Sequence, residues 1–304
     1  MSKKQLFSNL HGHDRLAFTY PLKRVTGGQG GEVLLVRGSF KNALIDCGMA
    51  YCHENTIKNI EEELSGKGLD YIILTHTHYD HVGALPYIRK RYKDAVVLGN
   101  SHSEKVLNKE SAIRVIRELS EKAQEIYSEK REPIITEGLK VDKVVKDMDI
   151  IELGDRNIII YETPGHTSCS ISLFILPEKI LLASESTGIL IDENTVHTAI
   201  LKSHKDSIKS AIRLKGLKAN TIVLPHYGVL PRYFHEDYWK LFFKESEDKK
   251  NYILNLAKEG YSDEEILKDY ISKFWDDERE QEQPKVAFIL NAKSIISVVL
   301  KEYQ

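Results

Sequence analysis

Apolar and β-branched residues come in short runs near the start of the chain, separated by glycine pairs. Residues 18–25, 32–37 and 42–46 each carry such a run, bounded by Gly27-Gly28, Gly30-Gly31 and Gly48. That pattern predicts strands joined by hairpins. Ile57, Ile60 and Leu64 recur at helical spacing behind Asn55, whose side chain suits an N-cap, so a helix is predicted up to Gly66 or Gly68. Residues 71–74 and 95–98 are apolar and predict two more strands, with a helix over 84–92 between them. The stretch 101–130 is densely charged, but Ile113, Ile116, Leu119, Ala123 and Ile126 share one side of a helix. It is predicted to be an insertion.

From Val141 a second β-rich half is predicted, with strands over 149–153, 157–162, 170–176 and 180–183. Gly154-Asp155-Arg156 and Pro177-Glu178-Lys179 supply turns between them. A helix over 204–214 and a strand over 221–224 follow. Strands succeeded by helices in each half predict a sandwich of two sheets with helices outside. After about residue 230 the pattern becomes helical, with helices expected over 236–260, 262–280 and 284–303. Asp263 suits a helix start and Pro284 a first helical position. The expected organisation is therefore a core over 1–230, with the helical insertion near 101–130, and a helical extension over 231–304. That extension carries apolar faces, and either closes a pocket or forms a homodimer surface.

Chemistry concentrates in residues 71–83, YIILTHTHYDHVG. The apolar run ends at Thr75, and His76, His78, Asp80 and His81 arrive within six positions. Three imidazoles and a carboxylate this close are costly unless a cation holds them, and they suit zinc, iron or manganese. In extended backbone His76, His78 and Asp80 would point one way, and His81 the other, toward a second ion. Gly83 then lets the chain turn into the next helix. Asp46, in ALIDCG, is either a partner for a ligand histidine or a turn-capping carboxylate.

His-x-His-x-Asp-His at a strand end resembles the signature of the metallo-β-lactamase superfamily. Thr163-Pro164-Gly165-His166-Thr167 is similar to that family's PGHT segment, and Pro225-His226-Tyr227-Gly228 to its last ligand segment. Glu185, in LLASES, stands where the family usually has a metal-bridging Asp. The resemblance runs from about residue 30 to about residue 230. It implies a metallo-β-lactamase-like αββα sandwich with added C-terminal helices. It also implies two divalent ions, one on His76, His78 and His166 and one on Asp80, His81 and His226, with Glu185 bridging them or binding one. The metal loop, His166, Glu185 and His226 are then expected at one edge of the sandwich. THTHYDHVGALPYI, VVLGNSHSEKVLNKESAIRVIREL and the helical tail further resemble the thioesterase-type response protein family of the Pseudomonas quinolone-signal pathway. That likeness implies a dinuclear centre usually described with iron and cleavage of an acyl-CoA or related thioester.

Two adjacent ions can hold a water as hydroxide at neutral pH and polarise a carbonyl or phosphoryl oxygen. Asp80 is the catalytic candidate, accepting the water's proton or orienting the hydroxide. A thiolate leaves readily, so no strong general acid is required. Tyr79, Ser186 and Tyr227 flank ligands and are candidate substrate contacts, set against packing or turn roles. His53, His102, His197, His204 and His235 lie outside the motifs and read as ordinary histidines, and His11 and His13 as surface histidines near a terminus.

With 43 Lys and Arg against 45 Asp and Glu, the net charge of −2 gives no general attraction for nucleic acid or anionic membrane. Cys47, Cys52 and Cys169 form no CxxC and cannot all pair, which favours a reducing cytoplasm. The first fifteen residues lack the apolar core of a signal peptide. Residues 286–300, broken by Asn291, Lys293 and serines, are too short to cross a bilayer. The leading expectation is a metal-dependent hydrolase of a small-molecule ester or thioester. A lactone or phosphodiester hydrolase would use the same hydroxide, although no dense basic block suits a nuclease. A flavin-linked diiron oxidoreductase is disfavoured, because that family has a carboxylate where His78 stands. A metal-containing signalling or interaction protein is the alternative of another class, motivated by the charged helix and the long tail.

Overall fold

The computed structural model describes residues 18–275 and 283–304. His11, His13 and the last part of the helix expected to reach residue 280 lie outside them. The chain divides into two compact units, one of Phe18–Glu162 and Leu173–Pro177, the other containing Thr163–Ser172 and Glu178–Gln304. There are two six-stranded sheets and one two-stranded hairpin among the described residues.

In the first unit, β1 (Leu22–Arg24), β2 (Leu34–Arg37), β3 (Asn42–Ile45), β4 (Tyr71–Ile73), β5 (Val96–Asn100) and β6 (Lys143–Val145) form one sheet in sequential order. The first three pair antiparallel and the last four parallel. All four residues of β3 are buried, as a central strand covered on both faces requires. The register sets Ile45 against Ile73, so Asp46 and the residues after Ile73 leave the sheet side by side at the carboxyl end of parallel strands. Such ends are where α/β folds place their sites. The second half was expected to begin at Val141, with no strand before residue 149; instead β6 is a strand there and extends the first sheet, with Leu98 opposite Lys143. Periodicity marks a strand but not its partner.

The helices of this unit are α1 (His53–Leu64), α2 (Tyr79–Val82), α3 (Leu85–Arg91), α4 (Ser101–Leu107) and α5 (Glu110–Tyr127). Asn55 does not cap α1: the N-cap is Cys52, and the Asn55 side chain donates instead to the Gly27 carbonyl at 3.2 Å. The charged stretch from Ser101 splits into α4 and α5. Asn100 caps the first of these by accepting from the His102 N–H at 2.7 Å. α5 buries Ile116, Ser120, Ala123 and Gln124 and packs on α2 and on the 3-10 turn Ala50–Cys52. β7 (Ile150–Glu152) and β8 (Asn157–Glu162) form an antiparallel hairpin of the second sheet, to which β9 (Ile171–Leu176) also belongs.

In the other unit, β10 (Ile180–Leu182) runs parallel to β13 (Thr221–Leu224), and β14 (Gly228–Val229) returns antiparallel. β11 (Ile189–Asp192) and β12 (Thr195–His197) make the separate hairpin. α6 (His204–Gly216) is capped by Ser203, which accepts from the Asp206 N–H at 3.1 Å. Among the described residues three helices follow: α7 (His235–Lys258), α8 (Asp263–Phe274) and α9 (Lys285–Tyr303). Ser262 and Glu265 close a capping box on α8, and Pro284 sits at the N-cap of α9, one position before the helix proper. Ile253 of α7, Ile266 and Tyr270 of α8, and Phe288, Ile295, Ile296 and Val299 of α9 share one core. Each fully buried apolar side chain there contributes about 1.5–3 kcal/mol, which offsets the ordering of three helices. Among the described residues no helix is long and apolar enough to cross a membrane. Cys47, Cys52 and Cys169 are all buried thiols. Burial pushes the Cys52 thiol up to about 11.

Candidate metal centre

His76, His78, Asp80 and His81 all follow β4 in the first unit. Extended backbone carries the chain only as far as His78, the N-cap of α2. Asp80 and His81 therefore sit in a helical turn, not in the alternating extended stretch the sequence suggests. The consequence is convergence. The ring of His76 lies 4.6 Å from that of His78 and 4.1 Å from that of His81, centroid to centroid. Asp80 Oδ2 is 3.6 Å from His81 Nε2. His81 was expected to face away from His76; the helical turn swings it back.

Asp46 organises this loop from beneath. Its backbone is left-handed, with φ of 59°, and its side chain is almost fully buried. Oδ1 accepts from the Thr75 N–H at 2.7 Å, and Oδ2 accepts from the Thr75 hydroxyl at 2.6 Å. Oδ2 also lies 2.8 Å from His81 Nδ1. Thr75 Oγ1 is in turn 3.2 Å from His76 Nδ1. With protons on the two Nδ1 atoms, both imidazoles keep the Nε2 lone pair that metal ligation requires. Of the two roles left open for Asp46, turn-capping carboxylate and histidine partner, its contact with His81 fits the second, while its other bonds reach Thr75, 29 residues along the chain. Gly31 presses on the same loop: a Cβ there would lie 1.6 Å from the Asp80 carbonyl oxygen.

The other unit holds His166, Glu185 and His226. Glu185 presents one carboxylate oxygen to each histidine: Oε2 is 3.3 Å from His166 Nε2 and Oε1 is 3.3 Å from His226 Nε2. The carboxylate is nearly buried and His166 completely so, while the His226 side chain keeps 21 % exposure. His166 Nδ1 lies 2.6 Å from the Ala199 carbonyl, which fixes its proton on that side and turns Nε2 to Glu185. Gly165 has φ of 147°, and a Cβ there would lie 2.6 Å from Ser207 Cα, so only glycine lets the segment carrying His166 lie against α6. His226 has φ of 57°, a left-handed conformation that costs about 1–2 kcal/mol outside glycine and is held here by its surroundings.

Of the candidate substrate contacts, Ser186 is fully buried. Its hydroxyl accepts from the His166 N–H at 3.0 Å and donates to the Thr163 carbonyl at 2.6 Å, so it is occupied in holding the two ligand segments together. Tyr79 and Tyr227 are also buried. Sequence reasoning missed the Ala199 carbonyl, a backbone atom that no residue type reveals. It also missed Tyr238 of α7, whose hydroxyl donates to the Thr187 carbonyl at 2.6 Å. The histidine, aspartate and glutamate groups present are of the kind that can hold metal. Imidazole nitrogens with fixed tautomers beside carboxylates suit a borderline divalent cation, so the donor set fits.

Residues 26–226 match the family model described as the metallo-beta-lactamase superfamily. The chain belongs to that superfamily. A metallo-beta-lactamase fold-containing protein of Sulfurisphaera tokodaii is 29 % identical over 193 residues, covering 60 % of this chain and 70 % of the relative. The acyl-coenzyme A thioesterase MBLAC2 of Homo sapiens is 26 % identical over 181 residues, covering 54 % of this chain and 62 % of that protein. The chain thus spans less than two thirds of the thioesterase's length. The metallo-beta-lactamase family protein of Thermus thermophilus shares the fold over 94 % of this chain and 95 % of its own, with a TM-score of 0.62 at 16 % identity. The mixed α/β superfamily fold, with two sheets and C-terminal helices, is therefore the architecture of this protein.

Proposed function

We propose that this superfamily member is a hydrolase of acyl thioesters or related esters, acyl-CoA-like in class, that works with two divalent metal ions. His76, His78 and His166 would hold one ion, and Asp80, His81 and His226 the other. Glu185 would bridge them. The observation that carries the reading is the placing of Glu185, with one oxygen toward each of two imidazoles. The extra methylene relative to aspartate gives the carboxylate the reach to span two sites. The thioesterase among the relatives and the likeness to the quinolone-signal response family support the substrate class. Zinc, iron and manganese all suit the donors.

Bound divalent ions would supply a water acidic enough to attack at neutral pH and a Lewis acid for the carbonyl oxygen. The chain's own residues do the rest. Asp46 keeps the His81 proton on Nδ1, and the Ala199 carbonyl does the same for His166. Asp80 Oδ2 would accept the proton of the attacking water. The thiolate leaves without protonation, so the site requires no separate acid. We further propose that residues 231–304 restrict access to the substrate, or else pair two copies of the chain. Three buried thiols accord with a cytoplasmic setting.

Protein purified without chelators should carry close to two metal equivalents and cleave short acyl-CoA thioesters. His78→Ala and His81→Ala should each lose metal and turnover while retaining the far-UV dichroism of the folded chain. Equal metal content and rate in either variant would overturn the assignment. Preference for lactones or phosphodiesters in the same panel would move the substrate class.

A further inference from the structure

The turn that carries Glu185 is held from one side by the C-terminal helix α7. Glu185–Thr187 is a 3-10 turn, closed by Thr187 N–H to Ser184 carbonyl at 3.0 Å and Gly188 N–H to Glu185 carbonyl at 2.9 Å. A turn of three residues has little stability of its own, because it closes on very few hydrogen bonds. Tyr238, one turn into α7 and fully buried, donates its hydroxyl to the Thr187 carbonyl at 2.6 Å and lies 3.2 Å from Thr187 Oγ1. Phe242, one turn further on, lies so close to Gly188 that a Cβ there would come 3.1 Å from its ring. Gly188 has φ of 84°, so the chain can leave the turn at that angle only with glycine. From the other side Ser207 of α6 donates to the Ser186 carbonyl at 2.5 Å.

We propose that Tyr238 is a positioning residue for Glu185, and that helix α7 thereby sets how tightly the metal centre holds its ions. This rests on the metal reading above. Glu185 sits two residues before the carbonyl that Tyr238 grips. Its oxygens are placed 3.3 Å from two imidazoles only while the turn is fixed. Release of the Tyr238 hydrogen bond widens the positions open to the carboxylate, so entropy is lost on ligation that the wild type has already given up on folding. Coupling of this kind is reciprocal: what the helix contributes to ion retention, ion binding returns to helix docking.

The test compares wild type, Tyr238→Phe and Ser246→Ala. Ser246 lies on the same buried face of α7, and its hydroxyl makes no hydrogen bond among the described residues, so its variant controls for general disturbance of the helix. Two readouts are taken. In metal-free protein, amide exchange at Thr187 and Gly188 should be about tenfold faster in Tyr238→Phe, the effect of one hydrogen bond, and unchanged in Ser246→Ala. In competition with a chromophoric chelator, Zn²⁺ should bind about tenfold more weakly to Tyr238→Phe, in line with losses seen when supporting groups around a metal site are removed. Wild-type exchange in folded Tyr238→Phe overturns the inference. Equal loss of Zn²⁺ affinity in both variants overturns it as well, since the helix would then act only through general stability. If wild type binds no Zn²⁺ while exchange still accelerates in Tyr238→Phe, the metal reading fails and the positioning of the turn stands.

Discussion

His81 Nδ1 lies 2.8 Å from Asp46 Oδ2, and this contact decides which nitrogen of the imidazole carries the proton. Asp46 reaches its place because β3 and β4 are parallel neighbours in register, and because its own left-handed backbone turns the carboxylate under the loop. The contact thus links sheet topology to ligand chemistry. Asp46→Asn keeps the size and can still accept from Thr75, but it presents an amide N–H or a weaker acceptor to His81. Metal affinity should fall by about 10–100-fold, with little change in the unfolding midpoint of the metal-free protein. Chelator competition measures the first and urea titration the second. Affinity equal to wild type would show that Asp46 serves only the turn.

Gly31 is the second point at which the metal loop depends on a distant residue. A Cβ there would meet the Asp80 carbonyl oxygen at 1.6 Å, a backbone atom with no rotamer to escape into. Gly31→Ala should cost about 1–3 kcal/mol of stability through forced displacement, and weaken metal binding in the same variant. Thermal unfolding and metal analysis together check it. A folded Gly31→Ala chain with unchanged metal content would mean that the loop moves aside without disturbing Asp80.

Much of the fold was legible because local patterns were strong. The strands at residues 157–162 and 221–224 match the expected bounds, since each is an isolated apolar run closed by turn residues. The α7–α9 region was legible through its spacing of aromatic and aliphatic residues. What failed was of two physical kinds. The β11–β12 hairpin was overlooked because β12, Thr195–His197, has Val196 as its one apolar side chain and so no apolar run, although the Asp192 side chain marks the turn by accepting from the Asn194 N–H at 2.7 Å. The orientation of His81 was misjudged because helical backbone begins at Tyr79, directly after a stretch whose residue types suit a strand equally well. All seven ligand candidates were named from sequence. The Ala199 carbonyl and Tyr238 were not, and Ser186 was named only as a substrate contact or packing residue, not as the partner of the His166 N–H, because such contacts depend on folded proximity, not on residue type.

His204, the first residue of α6, provides a pH test at a histidine outside the ligand motifs. Its ring is buried, with Nδ1 2.8 Å from the Tyr303 hydroxyl and Nε2 3.3 Å from the Ser246 carbonyl. Burial lowers its pKa below the ordinary 6.5, and nearby Lys250 acts the same way, while the Ser246 carbonyl, Glu302 and Glu247 oppose them. The unfolded chain therefore binds the proton first as pH falls. The stability contributed by the neutral ring is fully present above about pH 6.5 and is lost as pH falls from there toward the folded value. The slope from this one group is at most about 1.4 kcal/mol per pH unit. Urea midpoints of wild type and His204→Phe between pH 8 and pH 5.5 should converge toward the acid end. Parallel curves would show that His204 does not carry the dependence.

The last prediction concerns what the C-terminal helices do. Trp239 and Phe242 of α7 are unsuited to loosening a cover over the site, because they are 2 % and 0 % exposed. Phe242 packs on Gly188, and the Trp239 ring lies 5.1 Å from that of Tyr238. Truncating either to alanine removes a core side chain at a cost of about 3–5 kcal/mol, which reports on folding and not on access. Phe243 is the better probe. It is half-buried, on the outer side of the same turn, with its ring 5.5 Å from Phe242. If α7 restricts the substrate, folded Phe243→Ala should raise kcat/KM for long-chain acyl thioesters more than for short ones. If α7 instead pairs two copies, the variant should lower the mass in solution and leave the chain-length profile alone. Kinetics over a graded acyl series, run beside light scattering on the same sample, separates these outcomes. A folded variant with wild-type mass and a wild-type profile would remove both roles from this face of the helix, leaving its inner face and the grip on Glu185 as its contribution to the site.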